Sequence, residues 1–186
     1  MRIVVSGTHA SGKSTLIADF VARHPSFTVL PDPFELLDES WDQPTAGLFA
    51  AQLRLAADRL LSDEFDGDLI AERGPLDFLA YLHALHELGR AEHPDESVPR
   101  ADEVAQRALS QVDLLVVLPL VDDDGIVVGD DEDLELRDAA DRALLDLIDD
   151  PDLVGDDVRV AEITGDRAAR LVTLEALVES ARSVRR

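Results

Sequence analysis

Apolar and polar positions follow two rhythms along the chain. Five short apolar runs, residues 2–6, 27–30, 68–72, 113–119 and 158–163, are separated by stretches in which apolar residues recur at helical spacing. The first helix is predicted from Lys13 to about Arg23, ending before His24-Pro25. A long one spans residues 45–62, with Leu48, Leu53, Leu55, Leu60 and Leu61 as its apolar faces. Pro75 suits a first helical turn, so residues 76–89 read as the next helix, stopped by Gly89. Residues 90–99 are polar with two prolines and read as a loop, followed by a short helix over 100–111. Further helices are predicted over 134–148 and from Thr164-Gly165-Asp166 to about Val184, with a loop over 149–157. Strands alternating with helices in this way predict a parallel sheet with crossover helices. The fourth run is apolar for most of its length, as a central parallel strand should be. No repeat or linker interrupts the pattern, so residues 1–186 are expected to form a single domain.

One stretch carries specific chemistry. Gly7-Thr8-His9-Ala10-Ser11-Gly12-Lys13-Ser14 is a complete GxxxxGK[ST] phosphate-binding loop, placed between the first strand and the first helix as that motif requires. Its glycines let backbone N–H groups turn toward phosphate oxygens, and the helix N-terminus adds a positive dipole end. Lys13 should reach the β- and γ-phosphates, and Ser14 should hold Mg2+ through its hydroxyl. Gly7, His9, Ala10, Ser11, Gly12 and Thr15 complete the expected nucleotide cradle. His9 is the least constrained of these positions.

Composition narrows the partners. Hydrophobic content of 46% in 186 residues supports one well-buried core. The formal charge is -23, with 40 acids against 17 Lys plus Arg. The only clustered cations are Arg182, Arg185 and Arg186, which suit a helix C-terminus. Such a chain is expected to repel nucleic acid and anionic lipid. Cysteine is absent, which removes disulfides, thiolate metal sites and a cysteine nucleophile. No signal segment and no apolar run of membrane-spanning length is seen, so a cytoplasmic protein is expected.

Phosphoryl transfer needs cations around the γ-phosphate and a group that orients or deprotonates the acceptor. Three places at the C-terminal ends of strands, where open α/β sheets bind ligands, can supply them. Asp32, framed by Pro31 and Pro33, can take a proton from an attacking hydroxyl, or Pro-Asp-Pro can be an ordinary turn. Glu72 can support Mg2+ while Arg73 clamps phosphate oxygens, or the two can be an exposed ion pair. Arg137 and Arg142 can swing over the triphosphate, or pair with Asp141 and Asp138 at i,i+4 spacing on the helix surface. His83 and His86 have the spacing of a metal pair but lack a third ligand.

Taken together, the GxxxxGKS loop, Pro31-Asp32-Pro33 and Glu72-Arg73-Gly74-Pro75-Leu76-Asp77-Phe78-Leu79-Ala80-Tyr81-Leu82 resemble small P-loop kinases, closest to an AAA-domain group allied to nicotinamide-riboside-kinase-like and deoxynucleoside-kinase-like proteins. The order of motifs covers nearly the whole chain. The resemblance implies a three-layer α/β P-loop NTPase fold, its five parallel strands in order 2-3-1-4-5, with a mobile lid after the fourth strand at about 120–137. It implies that Asp32 matches the acid that acts as base; Asp32 is also expected, with Ser14 and Glu72, among the residues that hold the metal. Glu72 would support the metal, and Arg73 would touch phosphates. Asp77 and Tyr81 fall where such proteins begin the helix lining the acceptor pocket, although they also read as a surface acid and a core tyrosine. The segment from Thr164 to Arg170 resembles the loop that lies against the nucleotide base, which brings in Gly165 and Arg167. Kinases of this type often pair through the helices at 45–62 and 76–89, so a homodimer is one expected state.

One departure stands out. Lids in these kinases are rich in arginine, whereas residues 122–133 hold seven acids and no cation, and they do not fit an EF-hand loop. Arg137 or Arg142 must then carry the positive charge, or the lid closes on a cationic ligand; a solvated acidic loop is the plainer reading. The sequence thus points to transfer of the γ-phosphate of Mg-ATP to a small acceptor, a nucleoside or nucleotide first. A regulatory ATPase acting through a protein partner is the alternative. No Asn-Lys-x-Asp guanine signature is present.

Overall fold

The computed structural model describes residues 1–36, 45–65, 67–91, 94–121 and 133–184. The acidic stretch 122–132, most of the expected lid, lies outside the described residues, as do Arg185 and Arg186. Five parallel strands form one sheet: β1 (Arg2–Ser6), β2 (Thr28–Leu30), β3 (Leu69–Glu72), β4 (Leu114–Val117) and β5 (Arg159–Glu162), in the order β2-β3-β1-β4-β5. The expected order 2-3-1-4-5 is thereby met. The register pairs Val4 with Ala71 on one side and with Leu115 on the other.

Side chains alternate across the sheet with period two, and this divides the core. Ile3, Val5, Ile70, Leu114 and Val116 face α1 (Lys13–Arg23) and α6 (Arg167–Val184), packing with Leu16, Ile17, Phe20, Leu171, Leu174 and Val178. Val4, Leu30, Ala71, Leu115 and Val117 face the other way, toward α2 (Ala46–Leu61), α3 (Pro75–Glu87), α4 (Pro94–Leu109) and α5 (Leu134–Ile148). α3 is apolar nearly all round because α2, α4 and α5 all pack on it. β2 and β5 are short edge strands, and β5 carries Arg159 and Glu162 at its ends.

Two differences from the sequence reading have local causes. The stretch 90–99 is not wholly loop, because α4 begins at Pro94. Proline at a first helical position removes an N–H that has no partner there anyway. After β2 the chain makes a single 3-10 turn, Pro33–Leu36, in which Asp32 Oδ1 accepts from the Phe34 N–H at 3.0 Å. α2 starts where expected, with the Thr45 hydroxyl accepting from the Leu48 N–H. Among the described residues no helix is long and apolar enough to cross a membrane.

Gly74, between β3 and α3, lies against the sheet. A Cβ placed there would sit 2.8 Å from Val4 Cγ1, and Val4 is fully buried. Gly74→Ala is therefore expected to lower stability by about 1–3 kcal/mol through overpacking, read by urea unfolding. Adding Val4→Ala should return part of that loss; strictly additive losses in the double variant would show that this contact is not the cause.

Candidate active site

The phosphate-binding loop leaves β1 at Ser6 and enters α1 at Lys13. Gly7 has φ of +151°, and a Cβ there would meet Ser11 Oγ at 2.6 Å and the Leu118 carbonyl at 2.8 Å, so only glycine fits. Ala10, with φ of +52°, adopts a left-handed conformation uncommon for a residue with a side chain.

A loop that presents its N–H groups to a ligand must send its carbonyls elsewhere, and each needs a donor. Here each one has a donor. The Ser6 carbonyl accepts from the Leu118 N–H at 2.9 Å and the Gly12 carbonyl from the Leu16 N–H at 3.1 Å. Between them, cations take over. Arg73 Nη1 donates to Gly7 O at 3.3 Å, and Lys13 Nζ to Thr8 O at 2.7 Å. Arg137 Nε donates to His9 O at 2.9 Å and its Nη2 to Ala10 O at 3.4 Å. Arg170 Nη1 donates to Ser11 O at 2.7 Å. The first-turn N–H groups of α1 have no intrahelical partner and face the same end of the sheet.

Beneath the loop lies Asp77, 2% exposed. Its Oδ2 accepts from the Ser6 hydroxyl at 2.6 Å and the Gly74 N–H at 2.8 Å, and its Oδ1 from the Gly7 N–H at 2.8 Å. Asp77 is thus not a surface acid but a tie between the loop's origin and the start of α3. The sequence did carry a signal. Gly74-Pro75-Leu76-Asp77 places an acid at the third helical position, where a carboxylate reaches back to the cap N–H. Burial pushes its pKa up, against Arg73 and the three hydrogen bonds.

Lys13 is the chain's only lysine. It is 4% exposed, and burial, reinforced by Arg73, lowers its pKa to about 7 despite Asp77, Glu72 and Asp32 nearby. Ser14 Oγ donates to Glu72 Oε1 at 2.6 Å, which sets two hard oxygen donors together beside the loop. That pair suits Mg2+, which keeps several waters and adds phosphate oxygens to one or two protein ligands. Asp32 is engaged differently. Its Oδ2 accepts from Arg73 Nε at 2.7 Å. Arg73 is 8% exposed, has φ of +61°, and lies 5.8 Å over the Tyr81 ring. Burial opposes its charge, but Tyr81, Asp32 and Asp77 outweigh this and hold its pKa above the ordinary value. Tyr81 stacks on Phe49 at 4.7 Å, and its hydroxyl accepts from the His9 N–H at 3.2 Å.

The structure therefore brings Lys13, Ser14, Asp32, Glu72, Arg73 and Arg137 to the loop. It does not bring Arg142 there, because Arg142 pairs with Glu87 on the surface at 3.1 Å. Arg137 and Arg142 do not form the intrahelical pairs expected on α5, and the Asp141 carboxylate instead accepts from the Leu120 N–H at 3.2 and 3.3 Å. Burial raises the Asp141 pKa. Arg167 forms a two-point exposed pair with Asp19 of α1, at 2.6 Å for each bond. Gly165, at φ of +99°, gives its carbonyl to Arg170 Nε at 2.7 Å. Among the described residues no group of three His, Asp or Glu is placed to hold a metal by itself, and His83 lies 3.8 Å from Asp102.

A five-stranded parallel sheet in this order, with helices on both faces, is the fold also found in solved nucleoside and nucleotide kinases. Among solved structures, deoxyadenosine kinase from M. mycoides with products dCMP and a flexible dCDP bound is similar at a TM-score of 0.69 and 12% identity, over 97% of this chain and 100% of that one. Thymidylate kinase from Candida albicans is similar at 0.66 and 17% identity, over 97% and 92%. The M. mycoides kinase with dCTP bound gives 0.64 and 14% identity, over 97% and 100%. No family model and no curated protein matches the sequence.

The state of Lys13 has a measurable consequence. Its folded pKa lies below its unfolded value of 10.5, so between about pH 7 and 10.5 the unfolded chain binds the extra proton and stability rises with pH. Relative to Lys13→Met, the wild-type protein without nucleotide should gain stability across that window, by at most about 1.4 kcal/mol per pH unit. Urea midpoints at pH 7, 8 and 9 check this, and parallel pH profiles for the two proteins would refute it.

Proposed function

We propose that this chain is an ATP-dependent phosphotransferase that moves the γ-phosphate of Mg-ATP to a small acceptor, a nucleoside or nucleotide first. Residues 1–186 would act as one P-loop kinase-like domain. The observation that carries the reading is the shared guanidinium of Arg73, which binds both Asp32 at the end of β2 and the Gly7 carbonyl of the phosphate loop. A carboxylate is thereby fixed beside the place where a terminal phosphate would sit. The fold likeness to nucleoside and nucleotide kinases supports the acceptor class.

Each residue has a physical task in this scheme. Lys13 and the first-turn N–H groups of α1 bind the β- and γ-phosphates, whose charge favours the protonated lysine. Ser14 and Glu72 would hold Mg2+, which neutralises charge on the phosphate oxygens. An acceptor hydroxyl attacks the γ-phosphorus; a new P–O bond forms, the bond to the bridging oxygen breaks, and ADP leaves. Asp32 receives the hydroxyl proton. Arg73 holds Asp32 in place and stabilises the charge on the transferring group. Arg137 already rests on two loop carbonyls and is the arginine best placed to complete closure, whereas Arg142 is occupied by Glu87.

Acceptor-dependent ADP release with Mg-ATP, measured over deoxynucleosides, ribonucleosides and nucleoside monophosphates, tests the reading. Asp32→Asn is expected to lower kcat by about 10²–10⁴-fold while ATP binds within about threefold of wild type. Turnover that survives this substitution removes Asp32 from the role of base. ATP hydrolysis that no acceptor stimulates, and that Asp32→Asn leaves unchanged, would favour a regulatory ATPase instead.

A further inference from the structure

Arg170, in the first turn of α6, is a buried cation that the transfer step does not use. It is 5% exposed. Its backbone N–H closes the turn on the Asp166 carbonyl at 2.9 Å, and Asp166 Oδ1 caps the Ala169 N–H at 2.9 Å, so the base of the side chain is firmly held. From there one guanidinium joins two loops. Nε donates to Gly165 O in the β5–α6 connection, and Nη1 donates to Ser11 O in the phosphate loop, both at 2.7 Å. Arg170 and Ser11 lie 159 positions apart in the chain.

The sheet order gives this bridge a direction. β2 and β3, with Asp32, Glu72 and Arg73 at their ends, lie on one side of β1. β4 and then β5 lie on the other, and β5 leads into the exposed stretch 164–167. A nucleoside triphosphate that points its terminal phosphate at Asp32 and Arg73 must send its nucleoside end the opposite way, toward that stretch. Arg167 ties the same stretch to α1 through Asp19. The nucleoside side and the phosphate side of the donor therefore meet two separate loops, and Arg170 spans them.

We propose that Arg170 is a positioning residue that sets the spacing between the β5–α6 connection and the phosphate loop, so that one donor molecule fits both without reordering either. This rests on the reading of the loop as a triphosphate site. The guanidinium fork is rigid and planar and can hold two carbonyls at a fixed separation, whereas a lysine ammonium on a flexible stem cannot reproduce that geometry. A spacing fixed before binding removes an ordering cost that would otherwise be charged against nucleoside contacts. Inorganic tripolyphosphate touches only the phosphate loop and should gain little from it.

The ratio of ATP affinity to tripolyphosphate affinity isolates the effect. Isothermal titration of both ligands, with the full chain as wild type, Arg170→Lys and Arg170→Met, should show that ratio falling about tenfold or more in the Met variant and by a smaller factor in the Lys variant. Thermal melting identifies a Met variant that does not fold, in which case the Lys variant, which keeps charge and stem, carries the comparison. Equal losses for both ligands would overturn the proposal, because Arg170 would then merely support the phosphate loop. An unchanged ratio in a folded variant overturns it as well. Failure of the wild-type chain to bind either ligand would overturn the triphosphate reading itself and the brace with it.

Discussion

Turning backbone N–H groups toward an anion forces the same peptide units to point their carbonyls outward, and in this chain side-chain cations meet them. Arg73, Lys13, Arg137 and Arg170 take the carbonyls of Gly7 through Ser11. Three of the four come from distant parts of the chain: the end of β3, the first turn of α5 and the first turn of α6. These bonds tie the loop to elements across the sheet, so its outward carbonyls are met by the fold as a whole rather than by the eight-residue motif alone. Asp77 completes the arrangement from below, by fixing Ser6 and Gly7 to the start of α3.

The charge distribution makes sense in this light. A chain with a formal charge of -23 places its single lysine and three arginines around one loop. Charges at short range in a partly dry site outweigh the diffuse field of a solvated acidic surface, which salt screens within about 8 Å at physiological ionic strength. Each cation is also hydrogen-bonded to a carbonyl, so it is satisfied before any ligand arrives. The depressed pKa of Lys13 follows from the same crowding: it is buried beside Arg73. A bound polyanion would relieve that crowding, so phosphate binding and lysine protonation would reinforce each other.

The sheet was legible in the sequence because its signals are local and redundant. The five apolar runs, the helix over about 45–62 and the 134–148 helix emerge much as periodicity implies, and the resemblance to P-loop kinases supplied a strand order that the pairing reproduces. What escaped notice depends on long-range geometry. Nothing near Arg170 in sequence shows that its partner is Ser11; Arg137 and Arg142 are both candidates for the phosphate loop by sequence, and nothing in α5 shows that Arg137 reaches it while Arg142 turns to Glu87. Pro94 misled in the opposite direction, since a residue that ends helices also opens them. Asp77 was within reach, because its place three residues after Gly74 is a capping signature, but its second task at Ser6 and Gly7 is visible only in three dimensions.

The end of β3 shows how backbone conformation joins the two halves of the site. Successive residues in a strand point to opposite faces, so Glu72 and Arg73 would ordinarily serve different layers. Arg73 keeps its sheet bond, donating its N–H to the Val5 carbonyl at 3.0 Å, and then turns left-handed at φ of +61°. That turn lets Glu72 meet Ser14 while Arg73 meets Asp32 and Gly7, all at the same end of the sheet. A left-handed arginine costs about 1–3 kcal/mol and persists only where its surroundings over-determine it. Here the ion pair with Asp32, the bond to Gly7 and the Tyr81 ring hold it, and Gly74 gives the chain room to turn back over Val4 into α3. The strain falls on the residue that links the phosphate loop to the acid after β2, where the proposed transfer would most need a fixed geometry between donor and acceptor groups.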